Sequence, residues 1–164
     1  MRFSLLTIQR DGGKVFLIHQ IGEGSGGEGV QLAVGQSGKI ALFDEIQSAK
    51  DFVERKAGTL EWDDFKVDLD EIRKWTQDSQ QSHPTPGALR RAWFLIMLAG
   101  INREGFPDSI QEFIHSREKS SLVAILSDCL DLDKAVSLSP GDYEDLRVVL
   151  RDGLDYLNQV SQLQ

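Results

Sequence analysis

The densest group of residues that could do chemistry is the glycine-rich run IGEGSGGEGV at residues 21–30. Its glycines fit the pattern G-x-G-x-x-G in two registers, Gly22/Gly24/Gly27 and Gly24/Gly26/Gly29. Loops of this pattern let backbone N–H groups approach a phosphate closely. One candidate function is therefore a nucleotide-binding enzyme that uses this loop.

The sequence around the loop argues against the two commonest phosphate-binding arrangements. A dinucleotide-binding loop joins a strand to a helix, whereas residues 30–34 after this loop have the pattern of a strand. A Walker loop needs Ser or Thr after Gly-Lys, but the Gly-Lys pairs of this chain are followed by Val15 and Ile40. A connection between two strands is the remaining interpretation.

Between two strands, the run resembles the glycine-rich loop of protein kinases at Gly22, Gly24 and Gly27. Residues 39–43, KIALF, fall where a kinase has its V-A-I-K strand, and Phe43 replaces the phosphate-pairing lysine. Gly29 replaces the valine that follows the kinase loop, and the chain has no H-R-D or D-F-G. We therefore transfer no functional residue and interpret the loop as a flexible acidic connection between two β-hairpins.

The isolated reactive side chains form no catalytic pattern. His19 lies in a strand-like run and is interpreted as structural, whereas His83 lies in a polar segment and is interpreted as solvated. His115 is interpreted as part of a surface ion cluster, and Cys129 as a small core residue. No H-E-x-x-H, cysteine spacing or G-x-S-x-G is present. We expect a non-enzymatic protein with no cofactor and no metal.

The strongest indication of binding is the acidic segment, residues 61–71, EWDDFKVDLDE, in which six of eleven residues are acidic. Large aromatic side chains beside acids are typical of hot spots for a basic partner. The candidate partner-binding residues are Glu61, Trp62, Asp63, Asp64, Asp68, Asp70 and Glu71. In the alternative interpretation Trp62, Phe65 and Leu69 belong to the core, the acids form a solvated face, and Asp68 caps a helix.

Charge and composition restrict the class of partner. The 164 residues include 26 acidic and 18 basic side chains, for a net charge of −8, and the excess is shared evenly by residues 1–80 and 81–164. This balance disfavours direct binding to nucleic acid or anionic lipid and favours a basic protein partner. The longest apolar run, residues 92–101, is too short to span a membrane, and a single cysteine fits a reducing compartment. We expect a cytoplasmic protein.

The first half of the chain is predicted to be mostly β-strand. Strands are expected at residues 2–9, 14–21, 30–34 and 39–43, forming an antiparallel four-stranded meander. Asp11-Gly12-Gly13 predicts a tight hairpin turn between the first two strands. Short helices are expected at residues 48–57, with a capping box at Ser48 and a stop at Gly58, and at 68–77.

The second half is predicted to be helical. Thr85-Pro86 and Ser139-Pro140 each combine an N-cap with proline at the first helical position, and helices are expected at residues 89–99, 108–116, 120–132 and from 140 onwards. The fold class is therefore α+β, with the meander followed by a bundle of three to four helices. The expected organisation is residues 1–78, a linker at 79–87 and residues 88–164, packed as one compact unit.

Three classes of function remain open. The favoured hypothesis is an acidic protein-binding module, such as a bacterial toxin-immunity protein that inhibits a basic toxin stoichiometrically. This is a likeness of general type, because no motif identifies such a family. One alternative is a structural component or homodimer that pairs through the apolar helix at residues 89–99, or a secretion chaperone; the other is the nucleotide-binding enzyme.

Overall fold

A computed structural model describes residues 1–22, 31–101 and 103–164 of the chain. By its internal contacts the chain divides into two compact units. The first combines Met1–Val67 with Val160–Gln164, and the second is Asp68–Gln159, so the second unit is an insertion in the sequence of the first. The organisation with a linker at residues 79–87 stays a prediction.

The first unit begins with the predicted hairpin, which is confirmed. Strand β1 (Arg2–Arg10) pairs antiparallel with β2 (Gly13–Ile21), in a register that sets Arg2 opposite Ile21. Asp11 and Gly12 have φ values of 52° and 76°. Two successive residues with positive φ give a turn whose twist matches that of the strands, which explains why Asp-Gly is found here.

The sheet as a whole corrects the prediction, because in the described residues it is mixed and six-stranded and is not an antiparallel four-stranded meander. The further strands are β3 (Gln31–Leu32), β4 (Ile40–Phe43), β5 (Thr59–Asp68) and β6 (Ser161–Leu163). Their order is β5-β1-β2-β4-β6, and β3 also pairs with β2. Strands β5 and β6 therefore form the two edges.

The predicted antiparallel meander does not form because β3 is too short to pair along the whole of β2. It occupies only the end of β2, with Leu32 opposite His19, and β4 pairs antiparallel with β2 further along, with Leu42 opposite Leu17. The other edge of β4 is then free, and β6 pairs with it in parallel, with Ser161 opposite Ile40. A parallel partner from so distant a segment leaves no local sign in the sequence.

Helix α1 (Ile46–Arg55) packs on this sheet through Ala49, Phe52 and Val53, as its apolar spacing predicts. The Phe52 ring meets Phe43 of β4 edge-to-face at 5.4 Å. The predicted capping box at Ser48 is wrong, since the helix begins after Glu45 without a side-chain cap. The Asp51 carboxylate instead accepts a hydrogen bond from the side-chain amide of Gln47 at 2.7 Å.

Gly58 has a role other than the predicted helix stop. The left-handed residue after α1 is Ala57, with φ 52°. A Cβ on Gly58 would lie 2.3 Å from Cε2 of Phe3, a core residue of β1. Glycine is required here because the chain passes directly over a buried ring as it enters β5.

The second unit is helical, but it is not the predicted bundle of three to four helices. In the described residues it holds five: α2 (Leu69–Gln77), α3 (Pro86–Gly100), α4 (Asp108–His115), α5 (Ser120–Leu126) and α6 (Pro140–Val160), the last residue of which belongs to the first unit. The predicted caps at Asp68, Thr85 and Ser139 are confirmed, because each side chain accepts a hydrogen bond from a backbone N–H in the first turn.

Buried arginines fix the loops of the second unit. The Arg90 guanidinium, 1% exposed, donates to the carbonyls of Ile125 at 2.8 Å and Lys134 at 2.6 Å. In a helix that continued to the predicted residue 132, the Ile125 carbonyl would accept the backbone N–H four residues later. Here it accepts the Arg90 guanidinium, and α5 ends at Leu126. Arg147 binds the carbonyls of Trp75 and Asp78 in the same way.

A membrane-spanning helix must be both long and apolar. Within residues 1–22, 31–101 and 103–164, no helix combines the length and the apolar character that crossing a bilayer requires.

Candidate protein-binding strand and cationic groove

The acidic segment falls on two elements, and its first half is edge strand β5. Along this strand the side chains alternate between the two faces, so Phe65 and Val67 are buried while Trp62, Asp64 and Lys66 are exposed. The core alternative for the segment therefore holds for Phe65 and Leu69 but not for Trp62. We call Trp62, Asp64 and Lys66 the outward face of β5.

Trp62 is unlike the other two tryptophans of the chain. Its side chain is 63% exposed, whereas Trp75 and Trp93 are 1% and 2% exposed. Most of the Trp62 ring therefore faces water. The alternation of side chains along β5 fixes this outward direction. Exposed aromatics of this size contribute more to binding than most other side chains once a partner covers them.

Two carboxylates of β5 are used within the chain. Glu61 accepts two hydrogen bonds from the Arg2 guanidinium, at 3.0 and 2.8 Å, and these bonds lower the pKa of the Glu61 carboxyl. Asp63 accepts a hydrogen bond from the backbone N–H of Phe65 at 2.9 Å. Asp64, by contrast, makes no hydrogen bond or ion pair with any residue that the structure describes. A partner could therefore form an ion pair with Asp64 without breaking a hydrogen bond or ion pair within the described chain.

The second half of the acidic segment begins helix α2, in the second unit. Asp68 caps the helix by accepting the Glu71 N–H at 3.0 Å, and Asp70 and Glu71 lie in its first turn. Acids at these positions stabilise the positive end of the helix dipole. The helix start explains Asp68, Asp70 and Glu71 without a partner, so the candidate binding site is restricted to the outward face of β5.

His19 lies on β2, where it pairs with Ser4 of β1 and Leu32 of β3. Burial lowers the pKa of its imidazole, and the Asp63 carboxylate opposes this shift. Its Nε2 is buried and has no hydrogen-bond partner among the described residues. The structural role predicted for His19 stays a prediction.

A groove lies at the other side of the same unit, at the C-terminal end of α1. Its volume is about 330 Å³, and the residues that line it are Val34, Gly35, Gln36, Phe52, Arg55, Lys56 and Gln164. The charged side chains of this lining are both basic. We call it the cationic groove. Sequence analysis missed it because three segments that lie far apart in the sequence form its walls.

The glycine-rich loop falls almost entirely on residues 23–30, which lie outside the described residues, so its predicted flexibility stays a prediction. The elements on its two sides are described. Strand β2 ends at Ile21 and β3 begins at Gln31, which confirms the connection between two strands. The first described element after the loop is strand β3 and not a helix, which does not fit the dinucleotide arrangement.

The remaining reactive side chains do not converge. His83 is exposed, as predicted, but it stacks on Tyr143 with centroids 3.7 Å apart, and its Nδ1 accepts a hydrogen bond from the Trp75 indole. His115 ends α4 and is exposed. Cys129 is exposed and free, so its predicted core position is wrong. Among the described residues, no group of His, Cys, Asp and Glu could hold a metal ion.

Comparison with known proteins identifies a fold and no family. No family model matches the chain, and no curated protein matches it in sequence. The fold is similar to that of the SatS C-terminal domain, known from a crystal structure in complex with bromine, with a TM-score of 0.60 and 10% sequence identity. The match covers 99% of this chain and 94% of that one. The two chains share an α+β architecture.

Proposed function

We propose that the chain is a protein-binding module that recognises a basic partner through the outward face of β5. The observation that carries the proposal is the 63% exposure of Trp62 on a regular edge strand. Covering a tryptophan removes a large apolar surface from water, and such residues dominate the free energy of many interfaces.

Charge complementarity supports a basic partner. The outward face holds one acid and one base, Asp64 and Lys66, whereas the chain as a whole carries a net charge of −8. A field of this sign accelerates encounter with a cationic protein, and the aromatic contact then slows dissociation. A backbone strand at the sheet edge also has hydrogen-bonding groups directed away from β1, which suits an extended segment of the partner.

In its finer form, the proposal is a cytoplasmic, stoichiometric inhibitor of the toxin-immunity type, which would cover a functional surface of a basic toxin. The homodimer alternative rests on apolar surface left open along residues 89–99. Helix α3 contains no exposed residue, and Trp93 and Ile96 are 2% and 0% exposed. Phe94 and Met97 are half-buried, so this helix offers little apolar surface for a second copy, and we favour the inhibitor.

The test compares three variants of the full chain. The partner is captured from the source cell, identified, purified and titrated with wild type, Trp62→Ala, Asp64→Lys and Glu54→Lys. Glu54→Lys is the matched control, because it makes the same charge change at an exposed position on α1. We expect a basic partner whose Kd rises about 30-fold with Trp62→Ala, the range of a hot spot. Asp64→Lys should weaken binding mainly at low salt, and Glu54→Lys should change it little.

Tryptophan fluorescence gives an independent measurement. Since Trp75 and Trp93 are buried, quenching by iodide reports chiefly on Trp62. Partner binding should protect the emission from iodide. Equal Kd values for wild type, Trp62→Ala and Asp64→Lys, or unchanged quenching in the complex, would show that β5 is not the binding surface.

A further inference from the structure

The cationic groove has walls from three parts of the first unit. One wall is the turn at residues 35–38, closed by a hydrogen bond from the Gly35 N–H to the Lys39 carbonyl at 2.9 Å. Another is the last turn of α1, with Phe52, Arg55 and Lys56. The third is Gln164, whose backbone N–H donates to the Leu42 carbonyl at 2.8 Å. Backbone hydrogen bonds thus fix two of the walls.

The charge of the groove is opposite to that of the chain. Arg55 and Lys56 line it, and no acidic side chain does so, in a chain with eight more acids than bases. Neither cation forms an ion pair with a residue in the described part of the chain. The Lys56 ammonium lies 5.2 Å from the centroid of the Phe52 ring, which orients it by a cation–π contact.

The helix terminus does not account for both cations. Basic residues commonly stabilise the negative end of a helix by facing its free carbonyls. Here the carbonyls of Val53 and Glu54 already accept the N–H groups of Lys56, Ala57 and Gly58, at 2.9 to 3.2 Å. The guanidinium of Arg55 and the ammonium of Lys56 form no hydrogen bond to a carbonyl in the described part of the chain, so both are available to an external anion.

The volume indicates more than a single ion. About 330 Å³ is at the lower end of the range for small-molecule sites, and it is several times the space that one water or halide occupies. Phe52 supplies an apolar surface, while Gln36 and Gln164 supply amide groups that both donate and accept hydrogen bonds. These features suit an anionic head group with a small apolar body.

We propose that the cationic groove binds a small organic oxyanion, with the anion at Arg55 and Lys56 and the apolar body against Phe52. Carboxylate and phosphate share the chemistry that Arg and Lys recognise, so separate probes must distinguish them. The site is independent of the outward face of β5, and either proposal can fail without the other.

The probes are phenyl phosphate, benzoate, inorganic phosphate and benzyl alcohol, added to the full chain at constant ionic strength and followed by amide NMR. The proteins are wild type, the double variant Arg55→Gln/Lys56→Gln, and Lys50→Gln as a matched control. Lys50 is an exposed cation of the same helix outside the groove. Melting temperatures of the three proteins verify that the exposed substitutions leave the fold intact.

We expect phenyl phosphate or benzoate to shift the amides of Gly35, Gln36 and Lys56, with a Kd raised about tenfold or more in the double variant and unchanged in Lys50→Gln. The aromatic anion that binds more tightly identifies the head group. The proposal is overturned if neither aromatic anion shifts these amides at about 10 mM. It is equally overturned if the double variant binds as wild type does, or if inorganic phosphate or benzyl alcohol binds as tightly as the aromatic anions.

Discussion

The two edges of the sheet differ in length, in charge and in how the chain forms them. Strand β5 has ten residues, four acidic and one basic, follows closely after α1, and carries an exposed tryptophan. Strand β6 has three residues, comes from the far end of the sequence, and leads to the wall of a cationic groove. A single sheet therefore separates an edge strand rich in acids from a groove lined by two cations.

Comparing the two faces of β5 should give the largest effect. Phe65 is 8% exposed and faces the core, and Phe65→Ala should lower the free energy of unfolding by about 3–5 kcal/mol through lost burial and an unfilled cavity. Trp62→Ala, three residues earlier, should change it by no more than about 0.5 kcal/mol. Urea unfolding measures both values. Similar losses for the two variants would mean that Trp62 is part of the fold, and the binding proposal would lose its main support.

Removing the short edge should give an intermediate effect. Deleting residues 161–164 removes the pairing of β6 with β4 and one wall of the groove. The loss of a few backbone hydrogen bonds at a sheet edge should cost about 2 kcal/mol and abolish the response to phenyl phosphate. Gln162→Lys, which changes an exposed side chain and keeps the backbone, is the control and should preserve stability. An unchanged urea midpoint in the deletion would show that β6 adds nothing to the sheet.

The smallest expected effect comes from the ion pair between Arg2 of β1 and Glu61 of edge strand β5. Hydrogen bonds from Arg2 hold the pKa of Glu61 below its ordinary value of 4.5. A carboxyl with a lowered folded pKa stabilises the fold above its unfolded pKa, and this contribution is lost as the pH falls through the folded value. The difference in melting temperature between wild type and Glu61→Gln should therefore shrink between pH 5 and pH 3, by a small amount because the pair is exposed.

The Arg2→Gln background provides the control for this measurement. Without the guanidinium, Glu61→Gln should make the same difference to the melting temperature at both pH values. A pH-dependent difference that persists in this background would assign the lowered pKa of Glu61 to another group.

Sequence reasoning succeeded where a structure is specified by neighbouring residues. Asp11-Gly12 gave the hairpin because a tight turn needs positive φ at two adjacent positions, and Thr85-Pro86 gave the start of α3. The alternation of Phe65 with Val67 is typical of a strand such as β5, but the acids beside these residues are equally typical of a solvated segment. Only the burial of each side chain in the folded chain distinguishes Phe65, a core residue, from the exposed Trp62.

The features that the sequence did not predict depend on contacts between residues far apart in the chain. Strand β6 reads SQL, which is too short and polar to be recognised as a strand, and its partner is set by the free edge of β4. Gly58 resembled a helix stop, yet its role is the approach to Phe3, which lies 55 positions earlier. The cationic groove exists only after these elements have come together, so no local pattern could have revealed it.

The pairing of β4 with β6 also has a consequence for the order of events during synthesis. Ser161 leaves the ribosome about 120 residues after Ile40, a delay of roughly 6–24 s at ordinary rates of translation. During that time β4 has an unpaired edge, while β5 has been available to the hairpin since early in synthesis. The acidic edge can thus be complete on the nascent chain, and the cationic groove can form only when residues 161–164 arrive.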